Sequence, residues 1–161
     1  MTASLDRIDR LLLELLQDDG QLTNQALAER VSLSESACLR RVRRLEDSGL
    51  IRGYVALLDQ TRAGYPDNVF VRITLKSQGQ ETLNAFESAA RALPEVMECY
   101  LMSGDSDYLL RVIVSDARDY ERLHSRALTL LPGVDRVHSS FALRTVVRRT
   151  QVPTHRLGNS G

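Results

Sequence analysis

The chain has 161 residues, room for one medium domain or two small ones, and its 43% hydrophobic and 26% charged content suits a folded protein with a buried core. Its 21 basic and 21 acidic side chains cancel, so no global charge draws it to nucleic acid, and any basic surface must be local. Two cysteines, Cys38 and Cys99, without a Cys-x-x-Cys pair argue against a zinc site or disulfide scaffold and predict buried free thiols. The opening MTASLDRIDR is charged from the start, and no apolar run nears the roughly 18 residues of a membrane span. A soluble cytoplasmic protein with no membrane contact is expected.

The first 58 residues read as helical. Ile8, Leu12, Leu15 and Leu16 fall at helical spacing after Asp6, which can cap a first helix with Asp9 three residues on, and Gly20 stops it. Thr23 can cap a short second helix carrying Leu27, Ala28 and Val31. Ser32-Leu33-Ser34 makes a tight connection, and Ser34 can cap a third helix with Cys38, Val42 and Leu45 on one side and Gly49 at its end. The following LIRGYVALLD alternates like a strand with a kink at Gly53, a short wing or hinge, and QTRAGYPDN has the composition of a linker.

The remainder carries an internal repeat. Ala92-Leu93-Pro94-Glu95-Val96 recurs as Leu130-Leu131-Pro132-Gly133-Val134, and Arg72-Ile73-Thr74-Leu75 upstream is echoed by Arg111-Val112-Ile113-Val114. Each copy reads strand, helix, strand: 69–75, 81–93 and 96–102, then 108–114, 117–131 and 134–147, with Ser115 or Asp116 capping the second helix. Two interleaved crossovers make a ferredoxin-like sheet. The expected fold class is α+β: an N-terminal winged helix-turn-helix domain over 1–58, a hinge over 59–67, a ferredoxin-like βαββαβ domain over 68–150 and a flexible tail over 151–161. Val69, Val71, Ile73, Tyr108, Leu110, Val112, Phe141 and Leu143 offer apolar area for both sheet faces, which leaves an open apolar face and predicts a homodimer.

Two stretches carry chemistry. On the third helix the side opposite Cys38, Val42 and Leu45 bears Ser34, Ser36, Ala37, Arg40, Arg41 and Arg44, and four arginines fall within five residues. Nearly all the positive charge of the chain is arginine, which makes the bidentate contacts with phosphate and guanine edges that lysine does not. A tight turn followed by such a helix is the pattern of a helix that reads double-stranded DNA, although a charge run by itself is more often a solvated face. The second stretch is the hairpin tip Ser103-Gly104-Asp105-Ser106-Asp107. A metal would need four to six further oxygen ligands that the local sequence lacks. A bare polar turn around Gly104 and a receptor for a zwitterion both remain: N–H groups near Gly104 for a carboxylate, Asp105 or Asp107 for an ammonium.

LDRIDRLLLELLQDDGQLTNQALAERVSLS, CLRRVRRLEDSGLIRGYVALLD, ECYLMSGDSDYLL and LPGV, in this order, resemble the Lrp/AsnC (feast/famine) family of transcriptional regulators, nearest its leucine-responsive branch. The resemblance implies no catalysis and no cofactor. It implies a ferredoxin-like effector domain that binds a small amino acid, such as leucine or methionine, between neighbouring dimers that assemble into tetramers or octamers. On the family pattern Leu101, Ser103, Gly104, Asp105, Ser106 and Asp107 fall on the effector loop, with Ser139, Ser140 and Phe141 opposite it. Relatives often carry prolines where this chain has Glu35 and Ala37. With Asp107 in the effector role, its loss is expected to abolish the ligand's effect and spare DNA binding. Two other readings stay open: an architectural, nucleoid-type DNA-binding protein without an effector, and an enzyme resembling siroheme decarboxylases. The latter needs positioned histidine or tyrosine groups, and His124, His138 and His155 pair with no evident nucleophile or ligand.

Overall fold

The structure, a computed structural model, describes residues 5–155 and 157. The chain divides into two compact units, Met1–Leu57 with Val147–Gly161, and Leu58–Val146.

In the first unit α1 spans Arg7–Asp18, α2 Asn24–Val31 and α3 Glu35–Asp47. Each begins on the cap that its sequence offers. Asp6 accepts from the Asp9 N–H while the Asp9 carboxylate accepts from the Asp6 N–H, a complete capping box, and Thr23 and Ser34 accept from the N–H groups of Ala26 and Ala37. Between α2 and α3 the chain reverses through Ser32 in the left-handed region, and Leu33 N–H donates back to Ala28 O. Leu12, Leu13, Leu27, Ala28, Val31, Cys38, Val42 and Leu45 form one buried core, so the apolar side read for each helix is the side that packs. The expected strand after Gly49 has no partner: residues 52–59 carry no assigned strand, and Val55, Leu57 and Leu58 are strongly exposed.

The second unit runs β1 Asp67–Leu75, α4 Gln80–Arg91, β2 Val96–Leu101, β3 Tyr108–Val114, α5 Ala117–Arg126, a 3-10 turn Leu128–Leu130 and β4 Val134–Phe141. The sheet order is β2-β3-β1-β4 with every pair antiparallel, the arrangement expected of two interleaved strand–helix–strand copies. Asp116 is the residue that caps α5. The second predicted helix ends five residues early, because Ala127 leaves helical angles and the tightened turn seats Leu128 fully in the core.

The sheet faces differ from expectation. Residues directly opposite one another across an antiparallel pair share a face. Val69, Val71 and Ile73 lie opposite Val112, Leu110 and Tyr108, and Phe141 lies opposite Val69. These side chains therefore all point to the same side, against Phe86 and Ala90 of α4 and Tyr120 and Leu123 of α5. The uncovered face is of mixed character. Phe70, Leu109 and Ile113 share it with Arg72 beside His138 Nδ1 at 3.2 Å, and with Arg111, which donates to Glu98 and Asn68. Leu143 is beyond the end of β4 and almost wholly exposed. Of the two thiols Cys38 is buried, but Cys99 is exposed because β2 is an edge strand. Among the described residues no helix is long and apolar enough to cross a membrane.

Gly133 sits at φ +75°, and a Cβ there would lie 2.4 Å from Thr82 Cγ2. Gly133→Ala is expected to destabilise the second unit by about 1–3 kcal/mol, read as a lower urea midpoint at unchanged m-value.

Candidate functional site

The buried side chains of Cys38, Val42 and Leu45 fix which side of α3 faces outward. Its N-terminus presents Ser34, Glu35 and Ser36 to solvent with Ala37 half-buried, and Asn24 Nδ2 donates to Glu35 O, tying the starts of α2 and α3 together. The four arginines then divide into two pairs at i, i+3 spacing, offset by one residue and so by about 100° around the helix.

Arg41 and Arg44 turn toward α1. Arg41 NH1 donates to Asp6 Oδ2 at 2.6 Å and to Asp9 Oδ1 at 2.9 Å, and Arg44 NH2 donates to Asp9 Oδ2 at 2.5 Å. Asp9 is fully buried, Arg41 is a quarter exposed, and Arg44 keeps nearly half its surface. The Asp9 N–H and the Arg41 guanidinium hold the Asp6 carboxyl below its ordinary pKa, and hydrogen bonds to Asp6 and Asp9 raise that of Arg41. Arg40 and Arg43 are exposed, and among the described residues neither makes an ion pair. Of the predicted DNA-side residues, Ser34, Ser36 and Arg40 face outward, Arg44 is shared, and Arg41 is committed to the helix packing. Sequence reasoning passed over Arg43. It also assigned Asp9 only its capping role, although acids at 6 and 9 match the spacing of Arg41 and Arg44.

The hairpin tip splits in a similar way. Leu101, Ser103, Gly104 and Asp105 are exposed and Ser106 is half-buried, with Gly104 at φ +135°. Asp107 is buried. Its Oδ2 accepts from Leu75 N–H at 2.7 Å and its Oδ1 from Gln78 Nε2 at 2.6 Å, while its own N–H donates to Ile73 O. Of the two carboxylates offered for a ligand ammonium, that of Asp107 closes the end of β1 and that of Asp105 stands exposed.

Asp105 and Ser106 border an open groove of about 600 Å3 with Arg72, Thr74, His124 and the β4 residues Val134 to His138. Ser139, Ser140 and Phe141 are not in it. Ser139 and Phe141 sit opposite Val71 and Val69, on the side of the sheet that the helices cover. Ser139 Oγ bonds the Tyr120 hydroxyl, and Phe141 packs edge-on to the Tyr120 ring at 5.2 Å. Ser140 pairs with Phe70 on the open face. One chain alone does not bring these residues to the loop. Among the described residues no cluster of three or more His, Cys, Asp or Glu side chains is placed to hold a metal.

The family model for a winged helix-turn-helix DNA-binding domain matches residues 5–52, and that for the Lrp/AsnC ligand binding domain matches residues 68–152, more than half of the chain. The chain belongs to the Lrp/AsnC family. It is a DNA-binding transcriptional regulator. Across 94% of this chain and 99% of the relative it is 44% identical to the Bkd operon transcriptional regulator of Pseudomonas aeruginosa. The leucine-responsive regulatory protein of Klebsiella pneumoniae is also 44% identical, over 88% of this chain and 87% of its own. A transcriptional regulator of Neisseria meningitidis solved as its L-Met complex superposes with a TM-score of 0.90 at 35% identity, covering 95% of this chain and 99% of that one. An AsnC family regulator of Agrobacterium tumefaciens gives 0.89 at 39% identity over 93% and 97%. These relatives are regulators, and the Lrp/AsnC reading displaces the enzyme alternative.

The two acids of the loop are expected to part in their effects. Asp107→Ala leaves the Leu75 N–H without a partner in a buried position and should lower the unfolding free energy by about 2–3 kcal/mol. Asp105→Ala should change it by less than about 0.5 kcal/mol. Chemical denaturation of both variants reads the difference.

Proposed function

We propose that this regulator reads duplex DNA with the outward side of α3, through Ser34, Ser36 and Ala37 near base edges and Arg40, Arg43 and the free part of Arg44 on phosphates or guanine. The observation that carries this reading is the division of the arginines: Arg40 and Arg43 stand unpaired and exposed among the described residues, while Arg41 and Arg44 anchor the helix that bears them. Because the chain has no net charge, its affinity rests on these local contacts and falls steeply with salt. Arg40→Ala and Arg43→Ala should each reduce the slope of log K against log salt by about 1 while leaving the melting temperature in place. A slope unchanged in both variants counts against the assignment.

The effector is a small amino acid, leucine, methionine or a similar one, held at Leu101 and Ser103–Ser106 with Ser139, Ser140 and Phe141 supplied by a neighbouring copy. Exposed N–H groups around Gly104 suit a carboxylate, and the exposed carboxylate of Asp105 suits an ammonium. The L-Met complex of the Neisseria regulator supports this ligand class. The protein acts as a cytoplasmic homodimer that assembles further. Support comes from Phe70 on the open sheet face and from Val55, Leu57, Leu58 and Leu143, apolar and exposed in segments that pair with no strand among the described residues. A ligand bridging neighbouring dimers shifts their assembly and with it the set of half-sites reached together, a coupling of about 1–3 kcal/mol.

Titrating amino acids during thermal unfolding tests the effector. A ligand at a hundredfold excess over its Kd should stabilise the fold by about 2.7 kcal/mol and raise Tm, and the same ligand should alter DNA affinity. DNA binding with no response to any amino acid would favour the architectural reading instead.

A further inference from the structure

The sequence predicts a frayed tail from residue 151, yet the described part of that tail is fastened to α1. The Gln17 side-chain amide makes a reciprocal pair with the backbone of Val152: its Nε2 donates to Val152 O at 3.1 Å, and the Val152 N–H donates to its Oε1 at 2.6 Å. The glutamine thus stands in for the peptide group of a neighbouring strand. Gln151 Nε2 donates to Asp18 Oδ1, and Thr154 Oγ1 donates to Glu14 Oε1, which leaves Thr154 only 5% exposed. Pro153 lies between the two anchor points, where its lack of an N–H leaves no donor unsatisfied. Leu157 packs against the core that α1, α2 and α3 share. Glu14, Gln17 and Asp18 are spaced i, i+3, i+4, so they form one polar stripe along the C-terminal half of α1, and the tail meets all three.

We infer that residues 151–155 and Leu157 are a strap belonging to the DNA-reading unit, and that the strap is a second covalent route, beside the 51–58 segment, by which the effector sheet acts on α1. The chain leaves β4 at Phe141 and reaches the strap within ten residues, so the two units are joined covalently here as well as through the 51–58 segment. The helix that receives the strap is the one whose N-terminal half grips Arg41 and Arg44 through Asp9. The strap therefore restrains the same helix that positions α3. The route to DNA rests on the proposed function, whereas the fastening of α1 does not.

The test is residue-resolved hydrogen exchange on the full chain, on a chain ended after Thr150, and on full-length Gln17→Ala, which keeps the tail and removes its two backbone bonds. Amides of Leu13–Asp18 are expected to exchange on the order of tenfold faster in both altered chains, with the amides of β1 and β3 unchanged. Duplex DNA affinity should shift in the same two chains. Unchanged exchange in α1 in the shortened chain overturns the strap; if that chain does not fold, unchanged exchange in Gln17→Ala does so. Faster exchange in α1 without any change in DNA affinity overturns the second route alone, and neither readout needs an effector to be present.

Discussion

A carboxylate withdrawn from water is unfavourable unless donors surround it, and Asp9 is withdrawn completely. Its two oxygens accept from the Asp6 N–H, Arg41 and Arg44, so the group that finishes the cap of α1 also receives two guanidinium groups from α3. The orientation of α3 on α1 follows from that grip together with the apolar contacts of Cys38, Val42 and Leu45. With Arg41 and Arg44 turned inward by their i, i+3 spacing, Arg40 and Arg43 are left on the outward side. The geometry that stabilises the three-helix unit thereby selects which arginines stand on its outer surface.

The effector unit repeats the device in a different setting. Asp107 is a buried acid whose acceptors close the last N–H of β1 and hold Gln78 beyond it. The hairpin tip is consequently built on a fixed base, with Ser103 to Ser106 projecting above it. A loop fixed at its base in this way has less conformational freedom to lose on any later ordering. Ser139 and Phe141 lie on the helix-covered side of the sheet, beside Tyr120 rather than at this tip.

Local chemistry was the most legible part of the sequence. Asp6, Thr23, Ser34 and Asp116 all cap the helices they precede, and the strand read over 108–114 from the internal repeat matches β3 residue for residue. Relations between distant segments were harder to read. Asp9 was visible as the third residue of a helix, but its meeting with Arg41 and Arg44 depends on how α1 and α3 cross. The sheet faces went wrong for a related reason: Val69, Val71 and Ile73 have the same parity, and only the register with β3 and β4 shows that Tyr108, Leu110, Val112 and Phe141 join them on one side. The apolar residues after Gly49 and beyond Phe141 read as strand, yet a strand also needs a partner, and these segments pair with none among the described residues. The tail lacks periodicity, and its contacts come from Gln17, Asp18 and Glu14 on a helix more than 130 residues away.

The grip of Asp9 on α3 is tested most directly by a double-mutant cycle, with urea unfolding of the native chain, Asp9→Ala, Arg41→Ala and the double variant. The structure predicts strong non-additivity: either single change should carry most of the destabilisation, with a coupling of about 1–3 kcal/mol between the two sites. Destabilisations that simply add would contradict a shared interaction, and with it the claim that this buried carboxylate decides which arginines face outward.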